Sequence, residues 1–551
     1  MTSVVTAGGI SVTIRGPVVD EGETVLDRLV SDGVPGSLAS RNAKLWGPDA
    51  APLAARSLGW LGLPETSRSL AARLAGPAAE AREAGLDRVV LAGAGGPALA
   101  TEAVCRTAGA ELTVLDTTDP HEVSGVLAAG LERTLVVVTG DGLEAESLRR
   151  VFAGAFSEAG VTGGALARRF VVVADAGSSL EGAAREAGHH VVQAEPDVGG
   201  RFGALGVRAL VPAALAGVDV NALLDEASRL AGTLRQPYDN PALALGAALG
   251  SSALAHRDKL VIADHGSGLA GFAGWAEQLV AGATGKQGKG LLPVVVEGVD
   301  SPGFELTGEL RRVILGRRPD EPGPGREAGL SVAGPLGAQF LLWEYATAVA
   351  ARVIGVDPFS EPDAGQSAAA TAALLRSEEG AAPTVVRTPP ALVSGAVEVH
   401  APDDLLRGAG NLADAVDALI EAVPERGYLA VLAYLDRSGD AGAADLRALL
   451  AARAAKLRKR PAPVTFGWGP RHLHATGQFH KGGPPNGAFL QITGAVTADV
   501  PVPGRPHTLG ELQLAQAFGD LRVLRSLPRP AARLHLLDRG EGIAQLRDAL
   551  G

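Results

Sequence analysis

The chain has 551 residues, of which 46% are hydrophobic and 20% charged, with a formal net charge of -11. This mixture is typical of a globular protein with two or three domains. The acidic balance argues against nucleic acids and anionic membranes as main partners. The single cysteine, Cys105, excludes an internal disulfide. Residues 1–16 lack the pattern of a signal peptide, and no apolar run is long enough to span a bilayer. The sequence therefore predicts a cytoplasmic protein.

Apolar runs rich in Val and Leu alternate with helical stretches in the first half of the chain. The predicted strands are residues 88–92, 112–115, 134–139, 169–174 and 190–193. Continuous apolar strands separated by helices are typical of a parallel sheet that is covered by helices on both faces. This half therefore predicts one α/β/α domain.

A second set of predicted strands follows a helical connection. These strands are residues 259–263, 292–297, 396–399, 428–435 and 488–493. Two such sets predict an α/β protein with two tandem α/β/α domains and mainly parallel sheets. We place a mixed N-terminal segment, the first domain, the connection, the second domain and a C-terminal cap at residues 1–75, 76–225, 226–255, 256–525 and 526–551.

A glycine-rich turn follows the first predicted strand. Gly95 and Gly96 lie in this turn, directly before a predicted helix. Glycines at such a place let an anion approach the N–H groups of a helix N-terminus. The turn lacks the full dinucleotide-binding pattern. An ordinary strand-to-helix turn is the alternative interpretation.

A second pair of glycines, Gly199 and Gly200, directly precedes Arg201. Glycines let the backbone bend closely, and a guanidinium suits an oxyanion or a phosphate group. This motif therefore indicates an anion site. An ion pair between Arg201 and a local carboxylate is the alternative.

The turn after the strand 134–139 is acidic. It contains Asp141 and Glu144 within residues 140–144. Negative charge at the start of a helix suits the helix dipole but repels a phosphate. We interpret these acids as helix capping.

The segment of residues 472–484 carries the most chemically active side chains. It holds three of the eleven histidines, among them His474 and His480, together with Lys481. A metal site would need a third ligand, and no Cys or carboxylate is nearby, so we predict no metal. Imidazoles in a glycine-rich segment suit proton transfer on a sugar hydroxyl. A purely structural loop is the alternative.

Residues 473–484, which read LHATGQFHKGGP, closely resemble a signature of the phosphoglucose isomerase family. The likeness is greatest to the isomerase half of bifunctional transaldolase/phosphoglucose isomerases. Further matches follow in the same order along the chain, at residues 43–46, 115–120, 198–202, 277–279, 284–286, 288–290, 355–359 and 515–520.

This resemblance implies two sugar-isomerase (SIS) domains, a homodimer, and interconversion of glucose 6-phosphate and fructose 6-phosphate without a metal or organic cofactor. In the family, a histidine opens the ring, a glutamate moves a proton between C2 and C1, and an arginine stabilises the oxyanion. The resemblance implies that Arg201 is this arginine and that His480, in preference to His474, is the ring-opening histidine. The substrate-binding residues that it implies are Gly95, Gly96, Gly199, Gly200, Lys286, Gln478 and Lys481.

Three positions depart from the family pattern. Gly282 stands where the family has its catalytic glutamate, and Pro97 stands where it has a serine. The phosphate-binding turn of the family, rich in hydroxyl groups, falls on the acidic residues 140–144. We therefore expect weak or absent isomerase activity. The alternatives are an SIS-domain enzyme for another substrate and a catalytically silent sugar-phosphate-binding or regulatory partner of pentose-phosphate enzymes such as transaldolase.

Overall fold

The computed structural model describes residues 1–140, 142–305, 310–317, 328–376 and 388–551. Asp141 of the acidic turn lies outside these ranges. The strands are β1 (Thr2–Ala7), β2 (Ile10–Arg15), β3 (Arg88–Ala92), β4 (Thr113–Leu115), β5 (Thr134–Thr139), β6 (Phe170–Ala174), β7 (His190–Gln193), β8 (Lys259–His265), β9 (Leu292–Val296), β10 (Leu310–Gly316), β11 (Gly329–Ala333), β12 (Leu392–Ser394), β13 (Val397–His400), β14 (Tyr428–Tyr434), β15 (Val464–Trp468), β16 (Gly487–Gly494) and β17 (Ala531–Leu536).

Helices connect most of these strands. They are α1 (Val18–Ser31), α2 (Val34–Ala39), α3 (Ala51–Ala54), α4 (Leu63–Thr66), α5 (Leu70–Glu83), α6 (Gly96–Ala108), α7 (Pro120–Ala128), α8 (Leu143–Glu158), α9 (Gly163–Ala167), α10 (Ser179–Glu186), α11 (Val207–Leu215), α12 (Val220–Ala231), α13 (Pro241–Leu254), α14 (Phe272–Thr284), α15 (Leu336–Ile354), α16 (Ala364–Arg376), α17 (Asp403–Leu406), α18 (Leu412–Glu421), α19 (Leu446–Arg458), α20 (Gly477–Gly482), α21 (Leu509–Ser526) and α22 (Arg539–Leu550). None of these described helices combines the length and apolarity that crossing a membrane requires.

The first sheet is parallel throughout and has the strand order β4-β3-β5-β6-β7. Every residue of β5 and of β6 is buried. Strands buried on both faces need apolar side chains at every position, which is why these runs are continuous and do not alternate. The strands predicted for this half of the chain are all present.

The strands predicted for the second half divide between two further sheets. One has the order β1-β2-β11-β10-β8-β9 and the other the order β12-β13-β17-β16-β14-β15. Both are mainly parallel, with antiparallel strands at one edge. The predicted fold class, α/β with mainly parallel sheets, is confirmed. The sequence pattern locates apolar strands but does not show which of them pair, so it does not separate these two sheets.

The largest core is built around two long helices, α13 and α15, which are buried along most of their length. Gly246 of α13 allows their close contact, because a Cβ atom there would lie 2.7 Å from the Cβ of Val349 on α15. This core supports the first sheet and helices α6 and α14. Those elements carry the glycine-rich turns and Gly282.

Candidate functional site

A cavity of about 480 Å³ lies at the carboxyl edge of the first sheet. The segments that follow four of its strands line the cavity, with Gly95 after β3, Gly140 after β5, Asp175 after β6 and Glu195 after β7. Ligands of open α/β sheets usually bind at this edge. The cavity is therefore the candidate functional site.

The two glycine-rich turns pack against each other in this cavity. A Cβ atom on Gly96 would lie 2.6 Å from the carbonyl oxygen of Gly200 and 2.9 Å from Oε1 of Gln278. Gly95 has a φ of 81° and lies against His474, whose Cβ would be 3.7 Å from a Cβ on Gly95. Glycine is needed at position 96 for the close approach and at position 95 for the backbone conformation.

Arg201 lines the cavity and is nearly fully buried. Its Nη1 donates to the carbonyl oxygen of Pro358 at 2.9 Å, and its Nη2 donates to the carboxylate of Glu361. Arg201 is therefore paired with a carboxylate, as the alternative interpretation predicted, and it also lines the cavity. Its role as an anion site stays a prediction. Glu361 also lines the cavity, and no sequence motif indicated it.

The guanidinium of Arg201 occupies the space beside residue 282. A Cβ atom on Gly282 would lie 2.5 Å from Nε of Arg201. That Nε is buried and has no hydrogen-bond partner among the described residues. Arg201 thus lies where the side chain of a larger residue at position 282 would begin.

His474 lines the same cavity, with 40% of its side chain exposed. Its Nε2 lies 3.4 Å from Oε1 of Glu144, which also accepts a hydrogen bond from Gln516 at 2.7 Å. Burial lowers the pKa of His474, but the hydrogen bond and charge of Glu144 outweigh it and raise the pKa overall. Glu144 therefore favours the protonated form of His474. The sequence predicted only a capping role for Glu144.

His480 does not line this cavity. It is 2% exposed, its Nδ1 lies 2.9 Å from the hydroxyl oxygen of Tyr428, and its ring stacks on that tyrosine and packs edge-on against Phe489. Burial, together with the charge of Lys481, holds the pKa of His480 well below its usual range. The preference for His480 over His474 as the ring-opening histidine thus disagrees with the geometry. The short helix α20 turns residue 480 into the core.

Lys481 and Gln478 are engaged in internal contacts. The Nζ of Lys481 lies 2.7 Å from Asp520, and both side chains are about 1% exposed. The amide of Gln478 accepts from the N–H groups of Asp363 and Ala364, each at 3.0 Å, and donates to the carbonyl oxygen of Gly285 at 2.9 Å. Neither Gln478 nor Lys481 lines the cavity, so neither is placed to contact a ligand there.

Lys286 also lies away from the cavity. Its Nζ donates to the carbonyl oxygens of Asp357 and Ser360, each at 2.6 Å. Burial, and secondly the charge of Arg201, lowers the pKa of Lys286 to about 7. Lys286 therefore holds the segment that carries Glu361.

The cavity thus brings together six of the ten predicted site residues: Gly95, Gly96, Gly199, Gly200, Arg201 and His474. The structure adds an ion pair between Arg208 and Asp175, 2.6 Å apart. It also adds Glu195, whose pKa is raised by burial. Within the described ranges, no three His, Cys, Asp or Glu side chains lie close enough to hold a metal ion.

A ligand-sized cavity between glycine-rich turns at the carboxyl edge of a parallel sheet is a usual place for a small-molecule site. The fold resembles the crystal structure of a glucose-6-phosphate isomerase from Chlamydia trachomatis, with a TM-score of 0.53 and 16% identity. That comparison covers 70% of this chain and 92% of the other. No protein-family model matches the chain.

Part of the sequence is similar to glucose-6-phosphate isomerases. It is 34% identical over 254 residues to the enzyme of Rubrobacter xylanophilus, covering 43% of this chain and 58% of the relative. It is 30% identical over 278 residues to a probable glucose-6-phosphate isomerase of Haloarcula marismortui, covering 46% and 63%. The chain therefore spans about three fifths of the length of these relatives.

Proposed function

We propose that the chain is a phosphoglucose-isomerase-like protein of the cytoplasm that binds a sugar phosphate weakly in the cavity. We further propose that it interconverts glucose 6-phosphate and fructose 6-phosphate only at a strongly reduced rate. One observation carries this proposal: Arg201 and His474 line one cavity with the glycine-rich turns, while Gly282 supplies no carboxylate.

In this mechanism His474 donates the proton that opens the sugar ring. Its raised pKa favours the protonated form, which can give a proton to the ring oxygen of the sugar. Arg201 lies in the same cavity and stabilises negative charge on the substrate oxygen.

The proton transfer between C2 and C1 lacks the carboxylate expected at position 282. Glu195 lines the cavity, but its carboxylate accepts a hydrogen bond from the N–H of Val207 at 3.0 Å. Glu361 is the carboxylate beside Arg201, but it is already engaged in an ion pair with that arginine. Glu277 lies on the same helix as Gly282 but does not line the cavity. Loss of a positioned general base costs on the order of 10²–10⁴ in rate.

The phosphate group also has few unpaired cations available. Arg201 is paired with Glu361 and Arg208 with Asp175, and Glu144 adds negative charge at the start of α8. Arg56, an exposed residue of the cavity lining with no ion pair shown among the described residues, and the N–H groups at the start of α6 remain as a site for the phosphate. We expect weak binding, because a dianion must compete with the carboxylates that hold two of the three arginines of the cavity.

Calorimetry with glucose 6-phosphate tests the binding step. We expect weak, saturable binding that is lost in Arg201→Gln and retained in Arg185→Gln, since Arg185 is exposed on α10 and lies away from the cavity residues. A correspondingly small rise in Tm should accompany the binding. Equal binding by both variants would show that glucose 6-phosphate does not bind in this cavity.

The ion pair of Arg201 with Glu361 favours a second candidate function. A chain that neutralises its own oxyanion-stabilising arginine fits a silent sugar-phosphate-binding or regulatory partner of a pentose-phosphate enzyme such as transaldolase. Co-purification followed by light scattering tests this candidate, and separate peaks with each such enzyme would eliminate it. The same measurement tests the proposed homodimer, which should have twice the chain mass of 55.8 kDa.

A further inference from the structure

A second cavity, of about 510 Å³, lies against the sheet that contains β12–β17. Strands β13, β16 and β17 form one wall, and helix α21 forms another with Leu514, Ala517 and Phe518. It shares no lining residue with the cavity of the first sheet. We refer to it below as the third-sheet cavity.

The wall formed by the strands is unusually polar for a buried sheet. In the register of the sheet, Glu398 lies opposite His535, and His400 lies opposite Arg533. Thr493 of the neighbouring strand lies beside His535. Successive side chains of a strand point to opposite faces, so these five residues share one face.

The opposite face of the same strands is apolar. It carries residues of the second hydrophobic core, namely Val397, Val399, Leu490, Ile492, Leu534 and Leu536. Strands covered by helices are ordinarily apolar on both faces, and burying polar groups costs free energy unless they find partners. The buried polar groups on this face therefore need hydrogen-bonding or ionic partners.

Arg533 is the strongest indication of what that partner is. It is 4% exposed, and the one hydrogen bond shown for its guanidinium within the described residues goes to the Thr493 hydroxyl at 3.1 Å. The guanidinium also lies 5.0 Å from the ring centre of Phe518. No described carboxylate forms an ion pair with it. Glu398 attracts the guanidinium but forms no ion pair with it among the described residues. A buried cation without a directly bound anion is costly, so an anion in the cavity would stabilise it.

A second buried group lacks a partner in the same cavity. The hydroxyl of Tyr434, at the end of β14, is buried and has no hydrogen-bond partner among the described residues. A hydroxyl can donate to a carboxylate oxygen. The cavity therefore offers a cation and an unused hydroxyl.

The remaining charges limit the ligand to a monoanion. The Glu398 carboxylate lies 3.2 Å from Nε2 of His400. Burial, and secondly the charge of Arg533, lowers the pKa values of both histidines, that of His535 to about 4, so they are neutral at pH 7. Asp499 and Glu511, both exposed, also line the cavity. One cation among three carboxylates cannot compensate the two charges of a phosphate monoester.

We propose that the third-sheet cavity binds a small organic monocarboxylate. Its carboxylate contacts Arg533, and its apolar part packs against Leu514, Ala517 and Phe518 on helix α21. The volume is in the range of pockets that hold small metabolites. The site is independent of the isomerase reaction proposed for the first sheet.

Calorimetry and thermal unfolding with benzoate test this proposal on the full chain. Benzoate joins one carboxylate to an apolar ring, benzamide is its neutral counterpart, and phenyl phosphate is its dianionic counterpart. We expect saturable binding and a rise in Tm with benzoate alone. Stronger binding of benzamide or phenyl phosphate, or no binding of benzoate, would overturn the proposal.

Variants assign the binding to this cavity. Arg533→Gln should abolish benzoate binding, and Arg407→Gln, which removes an exposed arginine of the same part of the chain, should leave it unchanged. If Arg533→Gln does not fold, Leu514→Trp fills the cavity from the half-buried side of α21 and should also abolish binding. Binding that persists unchanged in Leu514→Trp would place benzoate elsewhere and overturn the proposal.

Discussion

Residue 282 lies on helix α14, directly beside the guanidinium of Arg201. A Cβ atom at this position would be 2.5 Å from Nε of Arg201, so a glutamate there displaces the arginine from its contacts with Pro358 and Glu361. We expect Gly282→Glu to leave activity unrestored and to destabilise the fold by about 1–3 kcal/mol, as overpacking of a filled site does.

The control for Gly282→Glu is Gly274→Glu on the same helix, where no atom lies within 4 Å of an added Cβ. Thermal unfolding and a coupled isomerase assay of both variants provide the measurement. Activity of Gly282→Glu equal to that of the Rubrobacter relative would show that the missing carboxylate was the only defect.

The contact between His474 and Glu144 makes a pH-dependent contribution to stability. The pKa of His474 is raised, so its contribution is complete below the usual value of 6.5 and is lost as pH rises through the folded pKa. The pKa of Glu144 is lowered, so its contribution is present above the usual value of 4.5 and is lost as pH falls through the folded pKa. The pair therefore stabilises the fold most between these two limits.

Titration of the His474 ring protons by NMR measures this coupling. We expect a pKa above 6.5 in the wild type and a lower pKa in Glu144→Gln. Glu158→Gln, at the exposed end of the same helix, should leave the titration unchanged. An unchanged His474 pKa in Glu144→Gln would contradict the assignment of Glu144.

The sequence does not show whether His474 or His480 faces the cavity. Both histidines lie in one short motif, and the motif indicates imidazole chemistry without showing which ring faces the ligand. The direction of each side chain depends on the one-turn helix α20 and on packing with Tyr428 and Phe489 from other strands. Those contacts are separated from the motif in sequence, so no local pattern reports them.

At the scale of elements, helices α20 and α21 are joined by a buried charge cluster. Asp520 of α21 lies 2.7 Å from Nζ of Lys481 on α20, and its other oxygen lies 3.3 Å from Nε2 of His472. The charge of Lys481 and the contact with His472 hold the pKa of Asp520 well below its usual range, despite its burial. Removing the carboxylate leaves Lys481 buried without its charge partner.

We therefore expect Asp520→Asn to destabilise the fold by about 3–5 kcal/mol. Asp548→Asn on the exposed side of α22 is the control and should leave stability near that of the wild type. Chemical unfolding with urea measures both. A loss below 1 kcal/mol in Asp520→Asn would mean that the cluster is not a structural link between the two helices.

The sequence predicted the positions of the strands better than it predicted which strands pair. The bounds predicted for β3, β5 and β7 match the structure, because each is a short apolar run that ends at a turn. The pairing of β8 with β10 and of β14 with β16 depends on contacts between distant segments. The C-terminal strand β17, which we assigned to a separate cap, lies inside the third sheet between β13 and β16.

At the scale of the whole molecule, the first sheet carries a ligand-sized cavity at its carboxyl edge. The cavity, the glycine turns, Arg201 and His474 are present together. The carboxylate that would move the proton is absent at position 282. The central claim is therefore that the chain binds a sugar phosphate but transfers its proton very slowly.

Deuterium exchange into fructose 6-phosphate tests this claim most directly. The full chain and the Rubrobacter relative are incubated in D₂O with fructose 6-phosphate, and proton NMR follows the C1 signals, because a base that forms the enediolate exchanges that proton with solvent. We predict exchange slower than that of the relative by about 10²–10⁴. Exchange at a rate comparable to the relative would show that another group acts as the base and would contradict the account.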